Sequence, residues 1–331
     1  MGDSTHAPIT SGAVWTASDV GAPDTWTDVL DERLRAAIVD SVRAAARHGL
    51  TPETLTAASF APAGAGERLL VWTRELRDGR GFVLVRGFPV EELTEPEVEL
   101  AYVGLGLHLG TPVSQDAAGI TLGHVIDERV ARTGPEVRLY RTNARQDFHT
   151  DGADVIGLLC LHAAKSGGES RIVSAAAVYN ELLRRDPALV DALYAPMYWD
   201  RNGEESPGED PYYALPVLND VDGRPRFFYI GWYIRDAQRH AAVPRFTDAQ
   251  RAAMDQIEAI ANDPAFHVEM DFQPGDIQWL NNSVIFHSRE AYEDWDEPER
   301  RRHLLRLWLR AHDFAAVEDL LRGGIPTRST A

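Results

Sequence analysis

The chain has 331 residues, 44% hydrophobic and 25% charged, enough to bury a full core in one large domain or two small ones. Thirty-three Lys and Arg face 51 Asp and Glu, a net charge of −18, which argues against nucleic acid or an anionic membrane surface as partner. The single cysteine, Cys160, excludes an internal disulfide and a cysteine-built zinc site, and no apolar run reaches the roughly 20 residues that span a bilayer. The opening MGDSTHAPITSG lacks the basic-then-apolar pattern of a signal peptide, so a cytoplasmic protein is expected.

Residues 1–24, rich in Gly, Ser, Thr, Ala and Pro, predict an arm with little structure, and residues 25–331 a single domain. Leu30, Leu34, Ile38, Val42 and Ala45 recur at near-helical spacing, with Gly49 as the stop. Thr51-Pro52 reads as a helix start, and the helical pattern continues over 66–77. GFVLVRGF (81–88) reads as a buried strand. Thr94 and Glu97 form a capping box that opens a helix to about Leu109. Beyond residue 110 the pattern changes to short strands, at 120–126, 137–142, 155–162, 171–175, 197–201, 213–218, 226–230, 266–272, 277–280, 283–288 and 303–311. Helices interrupt near 176–194 and 247–262, the second with Thr247 and Gln250 as its capping box. Many short strands between Pro, Gly and Asp turns predict a mainly β fold with flanking helices, a jelly roll.

Of the eleven histidines, His6 lies in the arm and His48 at a helix end. His108, His124, His162, His240, His267, His303 and His312 show no partner pattern and read as structural. His149 and Asp151 differ. They stand two apart in DFHTDGAD, at the end of an extended segment, so their side chains point the same way. His287 ends another strand, in NNSVIFHSRE. Two imidazoles and one carboxylate on one face of an octahedron leave three positions open, a set suited to Fe(II) and O₂. Zinc on the same ligands, activating water for hydrolysis, is the competing reading, and a buried His–Asp hydrogen bond would look identical in sequence. RRRHLLRLWLR (300–310) alternates, with Leu305, Leu307 and Leu309 on one face and Arg302, Leu304, Arg306, Trp308 and Arg310 on the other. In a strand downstream of His287, Arg302 and Arg306 then point toward the same cavity. Arginine suits bidentate capture of a carboxylate.

FHTD (148–151), KSGGES (165–170), FQPGDIQWLNN (272–282), FHSR (286–289) and RRRHLLRLWLR, in that order, resemble the taurine dioxygenase-like (TauD/TfdA) family of Fe(II)/2-oxoglutarate-dependent oxygenases. The resemblance spans about residues 81–311. It implies a cupin-like double-stranded β-helix, with His149, Asp151 and His287 as iron ligands. It also implies Ser170 and Arg302 at the distal carboxylate of 2-oxoglutarate, with Arg306 touching co-substrate or substrate. The gap from His287 to Arg302 is a few residues longer than in taurine dioxygenase itself, which leaves the division between Arg302 and Arg306 open. The implied reaction couples O₂-dependent decarboxylation of 2-oxoglutarate, to succinate and CO₂, with oxidation of an unactivated C–H bond. Asp151 favours hydroxylation, because related halogenases carry a small residue there; desaturation and cyclisation stay open.

The primary substrate is expected to be a small molecule of anionic or amino-acid-like character. Arg141, Asn143 and Arg145 lie on the approach to the triad, Trp232 (with Tyr233) in a lid segment, and Asn281 (with Asn282) beside the last iron strand. Surface salt bridges explain the two arginines equally well. The rival functions are a metal-dependent hydrolase on the same triad and a relative that binds 2-oxoglutarate without turnover. Relatives are often homo-oligomers, and the sequence leaves the oligomeric state open.

Overall fold

The computed structural model describes residues 6–129, 138–221 and 224–314. Its long helices form where apolar spacing and caps place them. Glu32–Arg47 turns Leu34, Ile38, Val42 and Ala45 inward, and the Asp31 carboxylate accepts the Leu34 N–H at its start. Ala65–Arg77 buries Leu69, Trp72 and Leu76. Glu95–Gly106 opens on the Thr94/Glu97 box, and Asp248–Ala261 on the Thr247/Gln250 box. The helical stretch expected over 176–194 is two helices, Ala175–Arg185 and Pro187–Tyr194. Asp186 ends the first and caps the second, whose first residue is proline. Thr51-Pro52 starts no helix: Leu55 N–H reaches Thr51 O, but the Thr54 and Ser59 hydroxyls take the next backbone N–H groups, those of Thr51 and Thr56.

The strands form two principal sheets. The larger runs Thr27–Val29, Phe82–Arg86, Ile277–Asn281, Val155–His162, His303–Ala311, Gly110–Pro112, with Leu122–Val125 also paired to His303–Ala311. The smaller runs His267–Met270, Ser170–Ser174, Ile285–Arg289, Gln146–His149. Residues 137–142, expected as a strand, contain instead the 3-10 turn Leu139–Arg141 among their described part. Pro196–Asp200 and Tyr212–Pro216 form a separate hairpin.

Three apolar clusters assign the layers. One lies between the sheets, joining Phe82, Leu84, Ile156, Leu280, Leu304 and Trp308 of the larger to Ile172, Met270 and Ile285 of the smaller. A second covers the outer face of the larger sheet with the first three long helices. A third packs the helices of residues 175–194 and 248–261 on the outer face of the smaller. The chain is therefore a two-sheet sandwich with helices on both outer faces. Helix and strand occur in nearly equal amount, so the fold is mixed rather than mainly β. The reason is that each sheet is apolar on both faces and needs cover on both.

Residues 6–24 are not a loose arm. Trp15 and Trp26 pack edge-on against Phe82, the Trp15 indole donates to Arg80 O, and Asn180 Oδ1 accepts the Ile9 N–H. No helix among the described residues is long and apolar enough to cross a membrane.

Close packing across the larger sheet requires a glycine at position 157. A Cβ there would overlap the Trp279 ring and the Tyr102 hydroxyl. Gly157→Ala is expected to destabilise the chain by about 1–3 kcal/mol, the usual penalty for overpacking a core. Gly66→Ala, in an exposed helical turn with nothing near its added Cβ, is expected to stabilise by about 0.4–1 kcal/mol. Urea unfolding of the two variants checks both signs.

Candidate active site

The smaller sheet supplies the three candidate ligands. Gln146–His149 pairs antiparallel with Ile285–Arg289 so that His149 stands opposite His287. Asp151 follows two residues later in a clamped turn. Thr150 N–H donates to Tyr229 O at 2.7 Å, the Thr150 hydroxyl accepts the Tyr229 N–H at 2.9 Å, and Asn282 Oδ1 accepts the Asp151 N–H at 3.2 Å. Asn282 in turn donates to Ala153 O.

The three side chains are buried and converge. His149 Nε2 lies 3.9 Å from Asp151 Oδ1, His287 Nε2 lies 3.8 Å from Asp151 Oδ2, and the two rings are 4.1 Å apart. One donor atom from each lies within 4.8 Å of the other two, close enough for a single ion to draw the three together. The Nδ1–H of His149 donates to Asp147 O at 2.8 Å, so Nε2 carries the lone pair, which accepts from the Gln146 amide at 3.2 Å. Burial pushes His287 down to about 3, with His149 adding to the effect, and burial likewise lowers His149. Both imidazoles are therefore neutral, the form that ligates metal. Burial alone would raise Asp151, but the Arg306 guanidinium, helped by the Trp308 indole N–H, outweighs it and holds the carboxyl below its usual range.

The larger sheet supplies the other wall. Along His303–Ala311, Leu305, Leu307 and Leu309 face the helices, as the alternation predicts, and Leu304 and Trp308 face the sandwich interior. Arg302 and Arg306 turn inward too, 4% and 7% exposed. Arg306 is committed: Nη1 lies 3.8 Å from Asp151, Nε donates to Gln115 Oε1 at 2.7 Å, and its guanidinium lies over the Tyr140 and Trp308 rings. Trp308 Nε1 donates to Asp151 Oδ2 at 3.0 Å. Arg302 is not so engaged. Its Nη1 is buried with no hydrogen-bond partner among the described residues, and its guanidinium carbon lies 5.1 Å from the centre of the Tyr292 ring. Burial lowers its pKa. A narrow inner cavity joins Arg302 and Ser170 to His149, Asp151 and His287. Ser170 exchanges hydrogen bonds of 3.1–3.2 Å with Gln278. A buried guanidinium whose Nη1 has no hydrogen-bond partner among the described residues is the partner a distal carboxylate needs, so the donor set fits both an iron and a dicarboxylate.

An outer cavity of about 180 Å³ adjoins the inner one. Trp232 lines it, its ring 4.9 Å from that of His149, and Tyr233 lies beside it. The other substrate candidates do not reach it. Arg141 pairs with Glu128 at the surface, Arg145 with Asp147 and Glu290, and Asn143 is exposed. The strand begins only at Gln146, so its alternation does not carry back to them. Asn281 is a structural residue: its amide donates to Leu76 O and accepts the Ser283 N–H.

The cavity also holds residues that pattern reading missed. Arg138 pairs with Glu204 and donates to the Tyr233 hydroxyl at 3.3 Å; Arg201 lies over the Tyr213 ring. They come from loops and a hairpin, where sequence carries no periodic signal. Gln278 did carry one, as a polar residue at an inward position between Ile277 and Trp279.

A model of the taurine catabolism dioxygenase TauD, TfdA family matches residues 47–308. The FR-33289 synthase of Streptomyces rubellomurinus is 34% identical over 305 residues, which is 91% of this chain and 90% of that protein. A taurine hydroxylase-like protein of Stachybotrys chartarum is 28% identical over 78% of this chain and 68% of its own. The fold superposes on an asparagine oxygenase solved with Fe(II), hydroxyasparagine and succinate, at a TM-score of 0.67 and 20% identity over 86% of this chain and 93% of that one. It also superposes on the non-heme iron oxygenase OrfP solved with Fe and alpha-ketoglutaric acid, at 0.63 and 16% over 86% and 94%. The chain belongs to the TauD/TfdA family and is a dioxygenase that uses Fe(II), 2-oxoglutarate and O₂.

Proposed function

We propose that this enzyme hydroxylates an unactivated C–H bond of a small polar molecule bearing an anionic group, in a double-stranded β-helix formed by the two sheets. His149, Asp151 and His287 hold the iron. Ser170 and Arg302 hold the distal carboxylate of 2-oxoglutarate. The observation that carries this reading is the buried Arg302 guanidinium, whose Nη1 has no hydrogen-bond partner among the described residues, in one cavity with Ser170 and the triad. A hydrolase on the same three ligands gives that arginine no task.

The iron, when bound, supplies the activation of O₂ coupled to decarboxylation of 2-oxoglutarate. The protein's own work is positioning. Arg302 and Ser170 fix the far end of the co-substrate, a planar fork and a hydroxyl reaching one carboxylate from two directions. Trp308 and Arg306 hold Asp151 charged and oriented. Trp232 covers His149 on the substrate side. The outer cavity is small beside the roughly 300–1,000 Å³ of drug-sized sites, which favours a small substrate. Its walls combine the Tyr140, Tyr213, Phe228, Trp232 and Tyr233 rings with Arg138 and Arg201, each near a glutamate. That mixture suits a molecule carrying an anionic group and a second, polar end.

Asp151→Ala is expected to lose substrate-stimulated succinate formation; unchanged turnover would remove the triad from the mechanism. Arg302→Lys keeps the charge but loses the fork. It is expected to weaken 2-oxoglutarate by about 1.5–3 kcal/mol, the scale of a charged hydrogen bond, or about ten- to a hundredfold. Primary-substrate affinity should change far less. Anaerobic titration of both ligands tests this, and a loss confined to the primary substrate would transfer the anchor to Arg306. Arg138→Gln is expected to raise KM for the primary substrate by about tenfold with the 2-oxoglutarate requirement unchanged, because it leaves Glu204 facing an anionic ligand. Steady-state kinetics after a substrate screen, read by succinate mass spectrometry, checks it.

A further inference from the structure

Two histidines without a partner pattern in sequence meet on the helix-facing side of the larger sheet. His124 comes from Leu122–Val125 and His303 begins His303–Ala311, the neighbouring strand. His124 Nδ1 lies 2.8 Å from His303 Nε2, with the rings 5.1 Å apart and 34° from parallel. Glu95, the first residue of Glu95–Gly106, places a carboxylate oxygen so that all three donor atoms lie within 4.8 Å of one another. One turn along that helix, Glu99 Oε1 stands 3.5 Å from Nε2 of His124, the other ring nitrogen.

This arrangement fixes the tautomers. A proton on His124 Nε2 faces Glu99, so Nδ1 is the lone pair and accepts the Nε2–H of His303. A carboxylate behind one ring nitrogen, with the other aimed into a cluster, is the usual outer support of a metal-bound histidine. Nitrogens bound to one tetrahedral ion stand about 3.3–3.4 Å apart for metal–nitrogen bonds of about 2.0–2.1 Å. The two imidazoles need to part by only about half an ångström from their present contact. Glu95 and Glu99 set the field of two carboxylates beside two imidazoles. A divalent cation relieves that field.

We propose that Glu95, His124 and His303 form a second metal site, separate from the catalytic triad, for a divalent ion of the zinc class. Imidazole and carboxylate donors select zinc, nickel or cobalt over calcium or magnesium. Glu99 orients His124, and water completes the coordination on the exposed side. The ion joins the start of a helix to two strands, one residue from Arg302, and so staples the outer layer to the sheet that carries the co-substrate anchor.

The test is zinc bound per full-length chain, measured by equilibrium dialysis and metal analysis. Wild type is expected to bind one equivalent more than His124→Ala or His124→Gln, two changes at an exposed position. His149→Ala is expected to keep that equivalent, which separates this site from the triad whether or not the triad reading holds. Zinc should also raise the melting temperature of His149→Ala, and His124→Ala added to it should abolish the rise. Equal zinc in wild type and both His124 variants overturns the proposal, as does loss of the equivalent in His149→Ala with His124 intact.

Discussion

A carboxylate taken out of water must be compensated where it stands, and Asp151 sets that demand at the centre of this molecule. It is buried among two neutral imidazoles, yet it stays ionised because the Arg306 guanidinium stands beside it and the Trp308 indole N–H donates to it. Each group comes from a different part of the chain: His149 from an edge strand, His287 from its neighbour, Arg306 and Trp308 from the opposing sheet. Holding one charge thus requires both sheets to be in place at once. An aspartate that gathers a guanidinium and an indole N–H around it is also prepared to share its charge with a metal ion.

The strand His303–Ala311 shows how the same requirement reaches outward. Its odd positions, Leu305, Leu307 and Leu309, close the core beneath the helices; its even positions build one wall of the cavity. A one-residue slip would turn arginines toward the helices and leucines toward the iron site. Packing and chemistry are therefore read from one register. Gln115 reinforces it, accepting from the Arg306 side chain and donating to the Arg306 carbonyl.

Much of this was legible because it was periodic. The caps at Thr94 and Thr247 and the alternation over 303–311 follow from spacing along one element, whereas His149 and Asp151 converge across the end of a strand, through the turn that Tyr229 and Asn282 clamp. What escaped was decided between elements. Arg141, Asn143 and Arg145 fall outside the cavity because a 3-10 turn breaks the strand whose alternation would have aimed them inward. Arg138 and Glu204 enter it from loops that meet only in three dimensions. Residues 6–24 looked like an arm by composition, but two tryptophans, at 15 and 26, decide their fate by filling the space beside Phe82. The amount of helix was underestimated for a related reason: a strand apolar on both faces does not announce how much cover it will receive.

The two cavities meet at Tyr140, Gln146, His149, Asp151 and Arg306, which line both. The inner one reaches Arg302 and Ser170; the outer one faces the loops. On the far side of the sandwich, Trp15 and Trp26 fill the edge against Phe82. The ligands proposed for the two chambers therefore share walls. Each one's fit depends on where the same five side chains stand, so a substitution at any of the five alters the shape of both chambers at once.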